Sequence, residues 1–497
     1  MNPSLSLDLQ FGEEVPSRLR ARMQYAFRVF AAIYGHRVVD GASDGSTVRC
    51  FYGASAAGQT SVLHIPARYA PREPKDPAPA PALTVYAHEE LYLFHGRDPI
   101  SGNPDWLGEI FEWLSAAGER GAPERDSIGR ISYQQSVFAR HAISPLRPYA
   151  SLIMAWFENL VSGPAGVEHL AAAPSPVPDA RHLVISSHDI DFYFTGRGGS
   201  LLRIVKNLGV AALVARSYPF FKDSLRQLFR LAGGALVGDF LPTLLQRAQD
   251  NGFSSTFFVL ARRRHRRDAN YTLPQIAGRL HSIGQAGSAL ALHGSYRSIV
   301  EDSDLRSEAA ALEAASGAWP RGSRQHWLRF DDPEKLFANI ESAGLQYDSS
   351  WGWAGQLGFR NGAAFAFPPY NFGREEACNF LLIPLVIMDQ GLQNARRESP
   401  EKPGQLAASV LDQSRRWGWG GVSVLWHNPV EPLSACEDVN QVFWQQLRGR
   451  AERQERWISA EEFIDISLPR FQRAGLMSGR SVTLQPELPQ RMEHAVQ

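Results

Sequence analysis

The alternation of short apolar runs with helical periodicity beyond residue 181 predicts an α/β fold, a parallel sheet or (β/α) barrel, behind a smaller α+β region. Three observations carry this. Strand-like runs recur at 182–187, 254–260, 289–293, 380–387 and 422–427, with amphipathic stretches between them. A stretch of alternating proline and small residues at 171–180 (AAAPSPVPDA) separates them from what precedes. Finally, three of the runs end in groups able to bind metal or carry protons: His188-Asp189, His293 and His427. Sites in parallel α/β folds collect at the carboxyl ends of strands, so these groups share one rim.

With 497 residues, two or three domains are expected. Acids and bases balance at 51 each, which gives no global field for nucleic acid. Three widely spaced cysteines make neither a disulfide framework nor a Cys-based zinc site. The amino terminus lacks the basic-then-apolar pattern of a signal peptide, and no apolar run reaches membrane-spanning length. A cytoplasmic protein, free or membrane-associated, is the expectation.

Residues 1–170 read as an α+β accessory domain. Residues 17–33 are spaced like an amphipathic helix with a basic face, strand-like runs follow at 48–52, 62–65 and 83–85, and 105–117 and 146–160 are helical. His36, His64, His88, His95 and His141 are scattered without ligand spacing and read as ordinary surface or capped histidines. The domain boundary falls in the Pro-rich linker 171–180. The barrel then runs over 181–470, with helices at 240–250, 272–283, 304–316, 332–343 and 404–417, and leaves a tail at 471–497. Asp332-Pro333-Glu334 has the cap, first-turn proline and acid of a helix start. An insertion at 195–238 carries seven bases and one acid among Leu, Val and Phe. It reads as a basic amphipathic hairpin that packs on its own domain, covers the site's mouth, or touches an anionic membrane surface.

The stretch 182–191, HLVISSHDID, is an apolar strand ending in polar side chains. Two carboxylates two positions apart with a histidine beside them suit a divalent metal and activated water; the alternative is a strand followed by a polar turn. Taken with Leu292-His293-Gly294-Ser295-Tyr296, Arg324-Gln325-His326-Trp327, Asp348-Ser349-Ser350-Trp351 and Leu425-Trp426-His427, it resembles the ordered motifs of the polysaccharide deacetylases, the nodulation-type carbohydrate esterases. The resemblance covers about 181–468, and the amino-terminal region is similar to the uncharacterised domain of a divergent branch associated with bacterial surface polysaccharides.

The resemblance implies a distorted (β/α) barrel and metal-dependent N-deacetylation of an acetamido sugar, with a divalent cofactor, Zn2+ first. It implies Asp189 as general base, Asp191 and His293 as ligands, and His427 as general acid. Arg324 would orient the base through two hydrogen bonds, and Asp348 would orient a histidine. Trp327 and Trp351 would wall a sugar ring or pack internally; Tyr296, Arg360 and Asp389 are further substrate-side candidates. The family's second motif has two histidines four residues apart, but here Arg297 stands four after His293, and arginine cannot ligate. His326 is the expected replacement, with His188 second. The other reading is a degenerate deacetylase fold that binds a glycan or scaffolds a complex.

Overall fold

A computed structural model describes residues 4–41, 47–54, 62–70, 79–86, 89–120, 124–163, 174–177, 180–193, 196–214, 218–234, 238–299, 304–330, 332–429 and 437–478. His88 and parts of the expected linker and tail lie outside these residues.

The amino-terminal region builds a parallel sheet from β1 (Ser6–Phe11), β2 (Arg37–Val38), β3 (Thr47–Gly53) and β4 (Val62–Pro66), in the order β2-β1-β3-β4. A hairpin of β5 (Ala82–Tyr86) and β6 (Glu89–Leu93) follows. The helix Ser17–Tyr34 buries Met23, Phe27 and Phe30 and stops where Gly35 takes φ 77°, a left-handed cap that favours glycine. Part of its basic face serves the interface with the barrel: Arg22 donates to both oxygens of Glu375, at 2.7 and 2.9 Å. His36, expected at the surface or in a cap, is instead buried and paired with Glu158 at 2.7 Å. A histidine on its own gives no sign of a buried partner over a hundred residues away.

Beyond residue 180 the strands are β7 (His182–Ile190), β8 (Thr256–Leu260), β9 (Ala289–Gly294), β10 (Gly322–Gln325), β11 (Tyr347–Asp348), the hairpin β12–β13 (Tyr370–Asn371, Glu376–Ala377), β14 (Leu381–Leu382), β15 (Leu385–Met388), β16 (Gly420–Leu425) and β17 (Glu455–Ile458). The main sheet runs β14-β11-β10-β9-β8-β7-β16-β15, with β17 also on β7, and every pairing is parallel. Its two edges, β14 and β15, are carried by the single segment Leu381–Met388, so the sheet curls into the distorted barrel that the strand–helix alternation predicts. The expected strand 380–387 is broken because Pro384 has no N–H for a ladder; its carbonyl still accepts from the Ser423 N–H at 2.8 Å.

Helices Leu241–Asp250, Leu273–Gln285, Asp304–Ser316, Pro333–Ser342 and Lys402–Trp417 follow the predicted periodicity to within a few residues. Asp332 caps the fourth by accepting from the Glu334 and Lys335 N–H groups. Glu437–Arg448 and Ala460–Arg473 are further helices. One apolar cluster contains residues from Leu7 to Met477, so the amino-terminal region and the barrel share a core. Polar welds add to it: the Tyr25 hydroxyl donates to the Pro368 carbonyl at 2.8 Å, and Arg360 donates to Glu119 at 2.8 Å.

Candidate metal centre

β7 extends three residues past its expected end, and that extension sorts its polar side chains. Successive residues of a strand point to opposite faces. Ser187 and Asp189 turn to the face that meets Arg324 of β10 and Ser423 of β16, and Asp191 follows on the same side. His188 turns the other way. Its ring packs 5.1 Å from Phe257 and 5.8 Å from Phe443, and its Nδ1 lies 2.6 Å from the Trp426 carbonyl. Burial pushes it down to about 4, so it stays a neutral core histidine away from the carboxylates.

Asp191, His293 and His326 form a group whose ligating atoms all lie within 4.8 Å of one another. His293 Nδ1 lies 2.8 Å from the Arg324 carbonyl, which fixes its proton there and leaves Nε2 with a free lone pair. That Nε2 is 3.2 Å from Asp191 Oδ1, and His326 Nε2 is 3.5 Å from the same oxygen. Asp191 Oδ1 is buried and has no hydrogen-bond partner. A carboxylate oxygen without a donor, faced by two imidazole nitrogens, is a donor set that fits a divalent ion.

His326 comes from a single 3-10 turn, His326–Leu328, in which Trp327 and Leu328 both have positive φ (65° and 50°). Two consecutive bulky residues there are strained. The turn is braced from the amino-terminal region: Arg130 donates to the Trp327 carbonyl at 3.0 Å, and Arg329 donates to the Ile128 carbonyl at 2.9 Å. Gly294 lets β10 approach, since a Cβ there would sit 2.4 Å from Gln325 Oε1. Arg297, in the place of the second histidine, is exposed.

Around this group stand two oriented pairs. Arg324, fully buried, gives Asp189 Oδ1 one hydrogen bond at 2.7 Å. Its other hydrogen bonds go to the hydroxyls of Ser187, Ser349 and Ser423 and to the Ser349 carbonyl, in place of the expected second hydrogen bond to the carboxylate. His427 Nδ1 lies 2.9 Å from Asp389 Oδ1, and Asp389 also accepts the His427 backbone N–H at 3.0 Å. His427 Nε2 is 3.6 Å from Asp191 Oδ2.

The electrostatics follow from this crowding. Burial opposes charge on Asp191, yet the His293 and His326 rings beside it and the charges of His326 and His427 hold it well below the usual carboxylate range. Burial likewise opposes protonation of His326 and His427; Asp191 with Asp268 pushes the first up to about 9, and Asp389 with Asp191 and Asp189 the second to about 10.

The remaining predicted residues are dispersed. Asp348 meets no histidine among the described residues; it accepts from Ser323 Oγ and from the N–H and hydroxyl of Ser350. Trp351 is buried and stacked on Phe330, so it packs internally, whereas Trp327 is 43% exposed at the mouth, 5.8 Å from His326. Tyr296 accepts from Arg267 through its hydroxyl at 2.8 Å, beside Trp327. Arg360 is engaged by Glu119 and the Gly352 carbonyl. It lines a cleft of about 330 Å³ with Arg130, Tyr133, Leu328 and Trp353, which contains none of the ligand residues. Asp268 also joins the site, without a motif to mark it in the sequence. It lies 3.6 Å from His326 Nδ1 and accepts the Tyr296, Arg264 and His265 N–H groups. Its one sequence signal is position: an acid ending the basic run 262–267 just past a strand.

No known family and no curated protein matches the chain by sequence. Among solved structures it is similar to a polysaccharide deacetylase of unproven activity from Mycobacterium smegmatis (19% identity, 64% of this chain and 99% of that one, TM-score 0.37). It is also similar to a family 4 carbohydrate esterase from Streptomyces lividans (12%, 56% and 92%, TM-score 0.28) and to a peptidoglycan deacetylase from Bacillus subtilis (10%, 59% and 95%, TM-score 0.29). At such identities and TM-scores, the functional reading stands on the side-chain geometry alone.

Proposed function

We propose that the chain is a metal-dependent hydrolase of a C–N bond that removes the N-acetyl group of an acetamido sugar. The observation that carries this reading is the convergence of Asp191, His293 and His326 on one point between the Asp189–Arg324 and His427–Asp389 pairs. Asp191, His293 and His326 would hold a divalent ion, which would supply Lewis acidity toward an amide carbonyl and lower the pKa of water. Asp189, held by Arg324, is placed to take a proton from that water. Its other oxygen lies 3.6 Å from His293 Nε2, at the edge of the ligand group. His427 points Nε2 into the site while Asp389 fixes Nδ1, so it can give its proton to the departing amine. Trp327 offers an exposed ring at the mouth against which a sugar face can stack.

Elemental analysis of the full-length protein, followed by acetate release from a panel of acetamido sugars, tests the proposal. Near-stoichiometric divalent metal, lost in Asp191→Ala, His293→Ala and His326→Ala, is the expected result. A folded protein that takes up no divalent metal would overturn it and leave the glycan-binding reading.

A further inference from the structure

Directly after Asp191 the chain leaves the barrel in two helices, Arg197–Gly209 and Tyr218–Ala232, before re-entering it at Leu241–Asp250. The two helices pack on each other through Ile204 and Leu231, with Leu208 and Leu228 beside them, in a cluster separate from the main core. Their outer faces are apolar. Nine of the thirteen exposed large hydrophobic residues of the described chain lie between Phe192 and Phe229. On the second helix Tyr218, Phe221, Leu225 and Phe229 follow one another at three- and four-residue steps, so they form a single exposed stripe. On the first, Leu202 and Val205 are likewise exposed, and Leu213 between the helices is 80% exposed. Water-facing apolar stripes of this extent mark an interaction surface.

The charge beside the stripe selects the partner. Lys222, Arg226 and Arg230 each follow a stripe residue by one position, so a basic row runs parallel to the apolar one, and all three are exposed. The stretch 195–238 holds seven bases and one acid, in a chain whose 51 bases and 51 acids balance as a whole. No helix of the described residues is long and apolar enough to cross a membrane. An apolar face rimmed by bases on short helices is the pattern of a segment lying in the plane of an anionic bilayer.

We infer that this hairpin docks the protein on an anionic lipid surface. Its side chains enter the acyl boundary while its bases meet phosphates. Phe192, exposed and adjacent to Asp191, adds an apolar side chain next to the candidate metal centre, and the inference has the mouth face the bilayer. Resting on the reading above, the substrate is an acetamido sugar presented at that surface on a lipid carrier.

Flotation of the full-length protein with phosphatidylcholine vesicles, with and without phosphatidylglycerol, tests the docking. Wild type is expected to float with the anionic vesicles, at least tenfold less with neutral ones, and less in high salt. K222Q/R226Q/R230Q should weaken binding about a hundredfold, at roughly fivefold per charge removed. F221S/L225S/F229S should abolish it at every salt concentration. Both variants should keep wild-type metal uptake and acetate release from a soluble acetamido-sugar oligomer. If no acetate is released by any form, the enzyme reading fails while flotation still decides the docking. Wild type that ignores anionic vesicles overturns the inference. So does a serine triple variant that binds as well as wild type, or a dimer dissolved by that variant with no vesicle binding.

Discussion

Arg324→Met is expected to lower stability by about 3–5 kcal/mol, because it leaves the Asp189 carboxylate buried without its cation. The size follows from which partners can re-pair. Arg324 donates to Asp189, three serine hydroxyls and one carbonyl. The hydroxyls have substitutes: Ser187 Oγ is already 3.1 Å from Ser423 Oγ and donates to the Val424 carbonyl, and Ser349 Oγ donates to the Ile383 carbonyl. Asp189 has no comparable replacement, so most of the cost is the unpaired charge. Unfolding entropy of about 2.1 cal/mol/K per residue makes the penalty a fall of roughly 3–5 °C in Tm for a chain of this length. Adding Asp189→Asn removes the charge and should recover about 2 kcal/mol, which scanning calorimetry on the two single variants and the double variant would read. A Tm unchanged by Arg324→Met, or a double variant less stable than Arg324→Met alone, would refute the reasoning.

Three further outcomes are expected. Asp389→Asn should lower kcat roughly 10²–10³-fold with metal content unchanged, because the His427 ring loses the partner that fixes its proton, whereas Asp348→Asn should shift Tm and leave the metal-loaded kcat within a few-fold; steady-state acetate release and calorimetry separate them. Trp327→Gly should raise KM while leaving Tm unchanged or higher, since it removes an exposed ring and relieves a positive φ, and Trp351→Ala should cost about 3–5 kcal/mol through the cavity it leaves; equal effects of the two would contradict their placement. Glu308, which accepts the Ser295 N–H at 2.9 Å, is pushed up by burial to about 7 from its ordinary 4.5. Its folded form therefore binds the proton more tightly than the unfolded chain, and stability should fall as pH rises from 4.5 to 7, by at most about 3 kcal/mol. Glu308→Gln should flatten that part of the pH–stability curve.

How far the sequence reaches depends on which physical signal each residue leaves. The strand–helix alternation is legible because periodicity reports burial, and His293 and His427 are legible as rim groups because parallel strands present their carboxyl ends together. His326 could be named because Arg297 cannot ligate and another histidine stood next in the motif order. The sequence leaves His188 open because its apolar run predicts a strand ending at Ser187; carried three residues further, the two-residue period separates it from Asp189 and Asp191. β10 escapes notice as a strand because its Gly-Ser-Arg-Gln sequence is spent on the site and lacks the apolar run that marks a strand. The exchange between Asp348 and Asp389 has another cause. Which carboxylate meets His427 depends on β15 lying beside β16, and strand adjacency leaves no local trace.

The braced turn at His326 bears on modularity. A chain beginning at Arg181 would retain Asp191, His293 and His326 yet lack Arg130 and the Ile128 carbonyl. The two positive-φ residues each cost about 1–2 kcal/mol, and without the brace they would relax toward ordinary backbone and carry His326 away from Asp191. The barrel is thus no portable cassette: grafted onto another protein without residues 124–135, it would carry all three ligand candidates and no longer hold them together. The amino-terminal region belongs to the candidate metal site without contributing one of its ligand candidates.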